Sequence, residues 1–406
     1  KGDKLAWIEW QDPFMPWDSN QLNLAKISDK GKISQIEKLD NKKFDFEGEI
    51  SFFNPTWSDG GDLYVAEDSS GWSNIARIDS SFKNKGISLF QQKMTMTAEM
   101  AFPQWVLGMS SFSCVGDDVV SAICHDGSWS LGLFSRNGTC RIIQQPFNDL
   151  SGINAQQNRV VAIASSPIIG QGILEIDLLD DSHNHTPASS VSIPKEKISV
   201  GKSFWFTGSN EKKVHAWYYQ PVDITLDPPP LLVKSHSGPT GMAKCGLDLE
   251  IQFWTSRGWS VIDVNYGGST GFGREYRDRL KGNWGVVDIL DCVCAAEALV
   301  ASGQANKELI AITGSSASGF TALGGLCVTD IFSVAACKYA ICDLLSMANI
   351  THRFEACYLD YLIGNIDTNY EKYIERSPIE NINKIQTPLI LFHGLKDKVI
   401  SPDQTL

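Results

Sequence analysis

Up to about residue 195 the chain is built of short β-branched and aromatic runs broken by Gly, Asp, Asn and Ser, with hardly any helical periodicity. That texture predicts an all-β region. A partial repeat runs through it: Pro55-Thr56-Trp57-Ser58-Asp59-Gly60 leads into Leu63-Tyr64-Val65-Ala66, and Pro103-Gln104-Trp105 and Asp126-Gly127-Ser128-Trp129 occupy similar turn-and-strand settings. A turn plus an aromatic strand at a spacing of roughly 40–45 residues is the pattern of β-propeller blades, so about four or five blades are expected here. A β-sandwich is the alternative.

After about residue 200 short apolar runs alternate with helical stretches, which predicts a parallel sheet covered on both faces. The runs are Pro230–Ser235, Ser260–Val264, Leu309–Thr313, Ser333–Tyr339 and Pro388–His393. Apolar residues at 286, 289, 290, 293, 296 and 300 form a helical stripe between them. Three consecutive prolines at the end of Asp223–Pro230 read as a rigid turn before a strand. The expected organisation is a partial β-propeller over residues 1–200 and an α/β domain over residues 201–406.

Composition narrows the partners. Hydrophobic residues make up 43% and charged ones 20%, and no stretch approaches the ~18 uninterrupted apolar residues of a membrane helix, so no membrane insertion is expected. The 35 Lys+Arg against 47 Asp+Glu give a net charge of −12, and no basic run could follow a phosphate backbone, which argues against nucleic acid. The 10 cysteines are scattered without a CxxC pair and read as reduced core thiols, so neither a metal nor another cofactor is expected. Lys1–Trp10 leads straight into a strand-like segment without a basic end and an apolar core, and a cytoplasmic location is expected if Lys1 lies near the native start.

The strongest chemical signal is Gly314-Ser315-Ser316-Ala317-Ser318-Gly319, directly after an apolar strand and directly before a small-residue segment. A strand, a tight turn bearing Ser and a helix form a nucleophile elbow, which makes Ser316 the candidate nucleophile. The helix start lends its dipole and the Ala317 N–H to a developing oxyanion. His236-Ser237-Gly238-Pro239-Thr240-Gly241 follows another strand and can present a backbone N–H to the same charge, although a plain β-to-α loop reads equally well. Asp397, at the end of a late strand and 81 residues after Ser316, stands in hydrolase order. The matching His is missing: the seven histidines, at 125, 183, 185, 215, 236, 352 and 393, all precede Asp397. His236 and His393 read as braces of their own turns, and His352 is the nearest substitute.

In this ordered set the chain resembles the prolyl oligopeptidase family of serine peptidases, in its acylaminoacyl-peptidase and dipeptidyl-aminopeptidase-like branch. The resemblance rests on Leu5–Trp10 with Met15-Pro16-Trp17-Asp18, Trp57–Gly60 with Leu63-Tyr64, Phe102–Val106 with Gly108-Met109-Ser110, the His236–Gly241 turn, Asn265–Arg274, Gly282-Asn283-Trp284-Gly285 with Asp288, the elbow, Ser377-Pro378, and His393-Gly394 with Asp397. It implies a β-propeller followed by an α/β-hydrolase domain, with Ser316 as acyl-enzyme nucleophile, Asp397 as triad acid, and the Gly238 and Ala317 N–H groups as oxyanion hole. Four departures stand out: Ser237 replaces a Gly, Ser318 replaces a Gly, Gly267 stands where Arg usually follows Asn-Tyr, and the segment bearing the triad His is absent.

The implied substrates are short peptides, and homo-oligomerisation is compatible with the reading. An aminopeptidase needs a carboxylate for the substrate's free α-ammonium, and Glu99 is the candidate, with a propeller-surface glutamate as the alternative. Leu344, Leu345 and Met347 are candidates for the pocket of the residue before the scissile bond, with ordinary core as the alternative. A carboxylesterase on the same fold and an inactive propeller–hydrolase binding protein are the rival functions. The missing His and the few blades lead to the expectation that the sequence is a fragment, lacking a large N-terminal and a short C-terminal piece. Such a chain should be catalytically weak, because Ser316 without a base keeps the high pKa of an alcohol.

Overall fold

The computed structural model describes residues 2–39, 47–78, 89–90 and 96–405. The chain divides into two units, Lys1–Ser190 with Gly271–Glu275, and Val191–Thr270 with Tyr276–Leu406.

Among the described residues the first unit holds four antiparallel sheets, each made of consecutive strands. The first contains β1 (Lys4–Glu9), β2 (Gln21–Ile27) and β3 (Ile33–Leu39). The second contains β4 (Phe52–Trp57), β5 (Leu63–Glu67), β6 (Asn74–Ile78) and β7 (Leu89–Phe90). The third contains β8 (Phe112–Val115), β9 (Asp118–His125), β10 (Ser128–Phe134) and β11 (Cys140–Ile143). The fourth contains β12 (Asp149–Gln156), β13 (Arg159–Ser166), β14 (Ile169–Asp177) and β15 (His183–Pro187).

These local meanders are propeller blades, not the two facing sheets of a sandwich. Alternation along the second sheet shows how blades stack. Phe52, Leu63 and Val65 pack with Leu22, Leu24 and Leu39 of the first sheet, whereas Phe53, Tyr64 and Ala66 pack with Phe112, Val119 and Ile123 of the third. Each of the buried Val, Leu, Ile and Phe side chains among them contributes roughly 1.5–3 kcal/mol relative to exposure.

Two of the three repeat strings behave as expected. Ser58–Gly61 turns β4 into β5, and Asp126 and Gly127, both at positive φ (48° and 75°), turn β9 into β10. Pro103-Gln104-Trp105 does not fit: it lies in irregular chain ahead of β8, with the Trp105 ring 4.6 Å from Trp17. Proline's missing N–H suits that connection better than a ladder.

The second unit carries one seven-stranded sheet in the order β16-β17-β19-β18-β20-β21-β22. Its strands are β16 (Lys202–Thr207), β17 (Lys213–Tyr219), β18 (Leu231–Ser235), β19 (Ser260–Asn265), β20 (Ile310–Ser315), β21 (Val334–Lys338) and β22 (Leu389–Phe392). The five from β18 onward are mutually parallel, and the predicted apolar runs account for all of them. The antiparallel β16–β17 hairpin, which joins the sheet through β19, was not expected from the sequence.

Around the sheet lie α1 (Leu249–Thr255), α3 (Val287–Ala301), α4 (Ala317–Val328), α5 (Leu344–Ile350), α6 (Tyr358–Leu362) and α7 (Ile366–Arg376), with the short α2 (Arg274–Asp278) following β19. Ile251 of α1 packs with Leu232, Val261 and Ala311 on one face of the sheet, while Ile312 turns toward α4 on the other. The chain leaves β18 toward β19 and leaves β20 toward β21, so the neighbouring strands β18 and β20 diverge at their carboxyl ends. Such a switch point opens a crevice where α/β proteins place their chemistry.

The helical stripe needs a correction. In α3 the buried face includes Asp288, Ile289, Asp291, Cys292, Ala295, Ala296 and Leu299, whereas Val286 and Leu290 are exposed. Two aspartates take core positions because backbone and hydroxyl donors meet them there.

Candidate active site

Ser316 sits between β20 and α4 at φ 52° and ψ −121°, a left-handed conformation that a residue with a Cβ rarely adopts. Holding it costs on the order of 1–3 kcal/mol. The surroundings over-determine the turn. Ser316 N donates to the Lys338 carbonyl at 3.2 Å, and the Ser316 carbonyl accepts from Phe320 N at 3.1 Å and Ile341 N at 3.4 Å. A Cβ on Gly314 would overlap the Ser318 carbonyl, so strand and helix cross too closely for any larger residue there.

The Ser318 departure acquires a role in this setting. Its buried hydroxyl accepts from Ser315 N at 2.9 Å and donates to the Ser315 carbonyl at 3.0 Å, closing the turn from inside. Ala317 opens the 12-residue α4, whose N-terminal dipole favours negative charge.

The His236–Gly241 turn follows β18 and is tied to the elbow, because Ser237 Oγ donates to the Ser315 carbonyl at 3.1 Å. Tyr266 O–H donates to the Pro239 carbonyl at 2.7 Å, and Thr240 N donates to Tyr358 Oη at 3.1 Å. Gly238 lies within this braced loop at φ 135°, ahead of a cis bond to Pro239. The His236 ring stacks on Tyr266 at 4.4 Å, and its Nε2 lies 2.6 Å from Ser269 Oγ. Burial lowers the His236 pKa to about 4, so the ring is neutral.

Asp397 lies just beyond β22. Its Oδ1 accepts from Val399 N at 2.9 Å and Ile400 N at 3.0 Å, and these donors hold the carboxyl below its usual range. The strand register pairs Ser315 with Lys338 and Lys338 with Phe392. At ~4.8 Å between neighbouring strands, Ser316 and the segment leading to Asp397 leave the same sheet edge about 10 Å apart. His393 is occupied in its own loop, Nδ1 at 2.7 Å from Thr405 Oγ1 and Nε2 at 3.0 Å from the Ile400 carbonyl. His352 has extended backbone ahead of a short turn and faces Glu355 at 3.7 Å.

A cleft near the elbow is lined by Ile341, Met347, Ile350 and Ile400, with His352 and Glu355 in its wall. Ile341 is the residue whose N–H meets the Ser316 carbonyl. Of the three pocket candidates Met347 lines this cleft, while Leu344 is fully buried core. The sequence did not single out Ile341, Ile350 or Ile400; their apolar character reads equally well as core. Glu99 belongs to the first unit, where it is 5% exposed and its backbone pairs with Cys124, so it is no surface glutamate.

Gly267 also has a local account. Its N–H donates to Asp291 Oδ2 at 2.7 Å, and a side chain there would press on Val287 and on the stem of Arg279, 3.1 Å from the ideal Cβ position. Arg279 thus fills the space beside Gly267, with its guanidinium 4.2 Å from the Tyr276 ring.

Residues 246–406 match the family model described as "Prolyl oligopeptidase family". Over these residues the chain is similar to the prolyl oligopeptidase family. It is similar to the crystal structure of puromycin hydrolase, with a TM-score of 0.91 and 31% identity over 99% of this chain and 61% of that one. A puromycin-hydrolyzing peptidase of Mycobacterium tuberculosis gives a TM-score of 0.91 and 32% identity over the same 99% and 61%. The acylamino-acid-releasing enzyme of Arabidopsis thaliana is 30% identical over 177 residues, 41% of this chain and 23% of the plant enzyme. The chain therefore spans less than two thirds of these relatives. Their architecture agrees with the fold seen here, a β-propeller region followed by an α/β-hydrolase domain. Among the described residues no helix is long and apolar enough to cross a membrane.

Proposed function

We propose that the protein is a serine peptidase that hydrolyses short peptides through an acyl-enzyme on Ser316. The strained turn that lifts Ser316 between β20 and α4 carries this reading. Ser316 Oγ attacks the peptide carbonyl as its proton passes to the general base, and the oxyanion is met by the N–H groups of Ala317, at the helix start, and Gly238, in the braced loop. The C–N bond then breaks as the base returns the proton to the departing amine, and water releases the acyl group. Asp397, kept ionised by two backbone N–H groups, orients the imidazole of the general base. The cleft around Ile341, Met347 and Ile400 receives an apolar side chain before the scissile bond. Glu99 is assigned to the free α-ammonium of the substrate, and residues 1–200 and 201–406 to a propeller domain and a catalytic domain. The names of the two solved relatives, a puromycin hydrolase and a puromycin-hydrolyzing peptidase, support a hydrolytic peptidase reading.

The test compares peptide anilides with simple acyl esters, using the protein in its native length and its Ser316→Ala variant. Anilide turnover that falls by at least ~10³-fold in the variant is expected. Turnover of esters alone would assign an esterase, and unchanged anilide turnover in the variant would remove Ser316 from the chemistry.

A further inference from the structure

We propose that Asp288 is a positioning residue for the chemistry at Ser316, because its two carboxylate oxygens couple the elbow helix α4 to the loop Gly282–Gly285. The inference rests on the reading of Ser316 as nucleophile. Asp288 projects from the core face of α3 and is fully buried, a place where a carboxylate is costly unless every donor around it is aimed. Oδ1 accepts from Gly285 N at 2.6 Å, and Oδ2 accepts from Thr321 Oγ1 at 2.5 Å.

Both partners lead to the elbow. Thr321 lies one turn into α4, and its hydroxyl is also 3.3 Å from the carbonyl of Ala317, the residue whose N–H faces the oxyanion. Ser316 gives α4 no side-chain cap, so the first turn of the helix depends on such outside ties. On the loop side, Arg376 Nη1 donates to the carbonyls of Gly282 and Trp284 at 3.0 and 2.8 Å. The Trp284 indole lies 4.5 Å from the Phe320 ring, and Phe320 N donates to the Ser316 carbonyl. Asp288 thus closes a circuit from loop to helix to nucleophile. Burial holds its carboxyl at about 6, and the hydrogen bonds from Thr321 and Gly285 act against that rise.

A part that only stabilises the fold would change how much protein is folded; a positioning part changes the rate of each folded molecule. The experiment therefore measures kcat on a peptide anilide in the native-length protein, normalised to the serines that a fluorophosphonate titrates. Asp288→Ala and Thr321→Val are expected to lower normalised kcat about 10–100-fold with KM within about 2-fold, and the double variant to be no worse than the weaker single. Thr321→Ser keeps the hydroxyl and should stay within about 3-fold of the parent. Asp288→Asn should do the same, since its oxygen accepts from Gly285 N and its amide donates to Thr321. If Asp288→Ala does not fold, Thr321→Val decides. Unchanged normalised kcat in Thr321→Val, with only Tm lowered, overturns the proposal. A parent in which Ser316 cannot be titrated overturns the nucleophile reading instead, and this inference with it.

Discussion

Burial keeps His215 and His236 neutral, each with a pKa lowered from 6.5 to about 4. In the unfolded chain both take up a proton near pH 6.5, so between pH 6.5 and 4 the unfolded state binds more protons. The stability these residues contribute is complete above pH 6.5 and is lost as pH falls toward 4. Replacing His215, whose Nδ1 lies 3.0 Å from Asn265 Nδ2 on β19, by Asn removes one of the two losses. Across that window His215→Asn should gain on the parent by about 1.4 kcal/mol per pH unit in urea unfolding. Parallel pH dependences for the two proteins would mean that His215 titrates normally. The Asp397 carboxyl is lowered as well, but because the N–H groups of Val399 and Ile400 hold it ionised, which suits the triad-acid role proposed for it.

At the level of elements, the elbow is where sequence and structure agree most closely. Its signal is local: a strand, small residues around Ser316 and a helix are written consecutively, and sterics at one crossing demand them. Gly314→Ala should therefore fail for a stated reason, the collision with the Ser318 carbonyl, at a cost on the order of 1–3 kcal/mol. Fluorophosphonate labelling of Ser316 should fall with it, whereas equal labelling would show that the crossing tolerates a Cβ. The β16–β17 hairpin was hidden because β16 is largely exposed and β17 is almost wholly buried, so neither alternates in the way a half-buried strand does. The face of α3 was misread because Asp288 and Asp291 point inward, and sequence patterning sends carboxylates to solvent. Those inward aspartates are the ties to the Gly282–Gly285 loop and to Gly267, so the pattern failed where the site is built.

On the scale of the molecule, the texture change near residue 200 was legible because β-meanders and β–α alternation differ in period along hundreds of residues. Blade stacking followed from period-2 alternation in the second sheet, with odd and even positions packing on different neighbours. The burial of Glu99 could not be read in this way, because a glutamate flanked by Ala98 and Met100 looks the same at a surface as in a core. The three histidines weighed as bases, His236, His393 and His352, are engaged with Ser269, Thr405 and Glu355. The most direct test of the central claim is intact-protein and peptide mass spectrometry after rapid quenching of the native-length protein with an activated peptidyl ester. One acyl group per active molecule is expected, on the peptide containing Ser316 and absent from Ser316→Ala. Turnover with no trapped adduct, or an adduct on another residue, would contradict it.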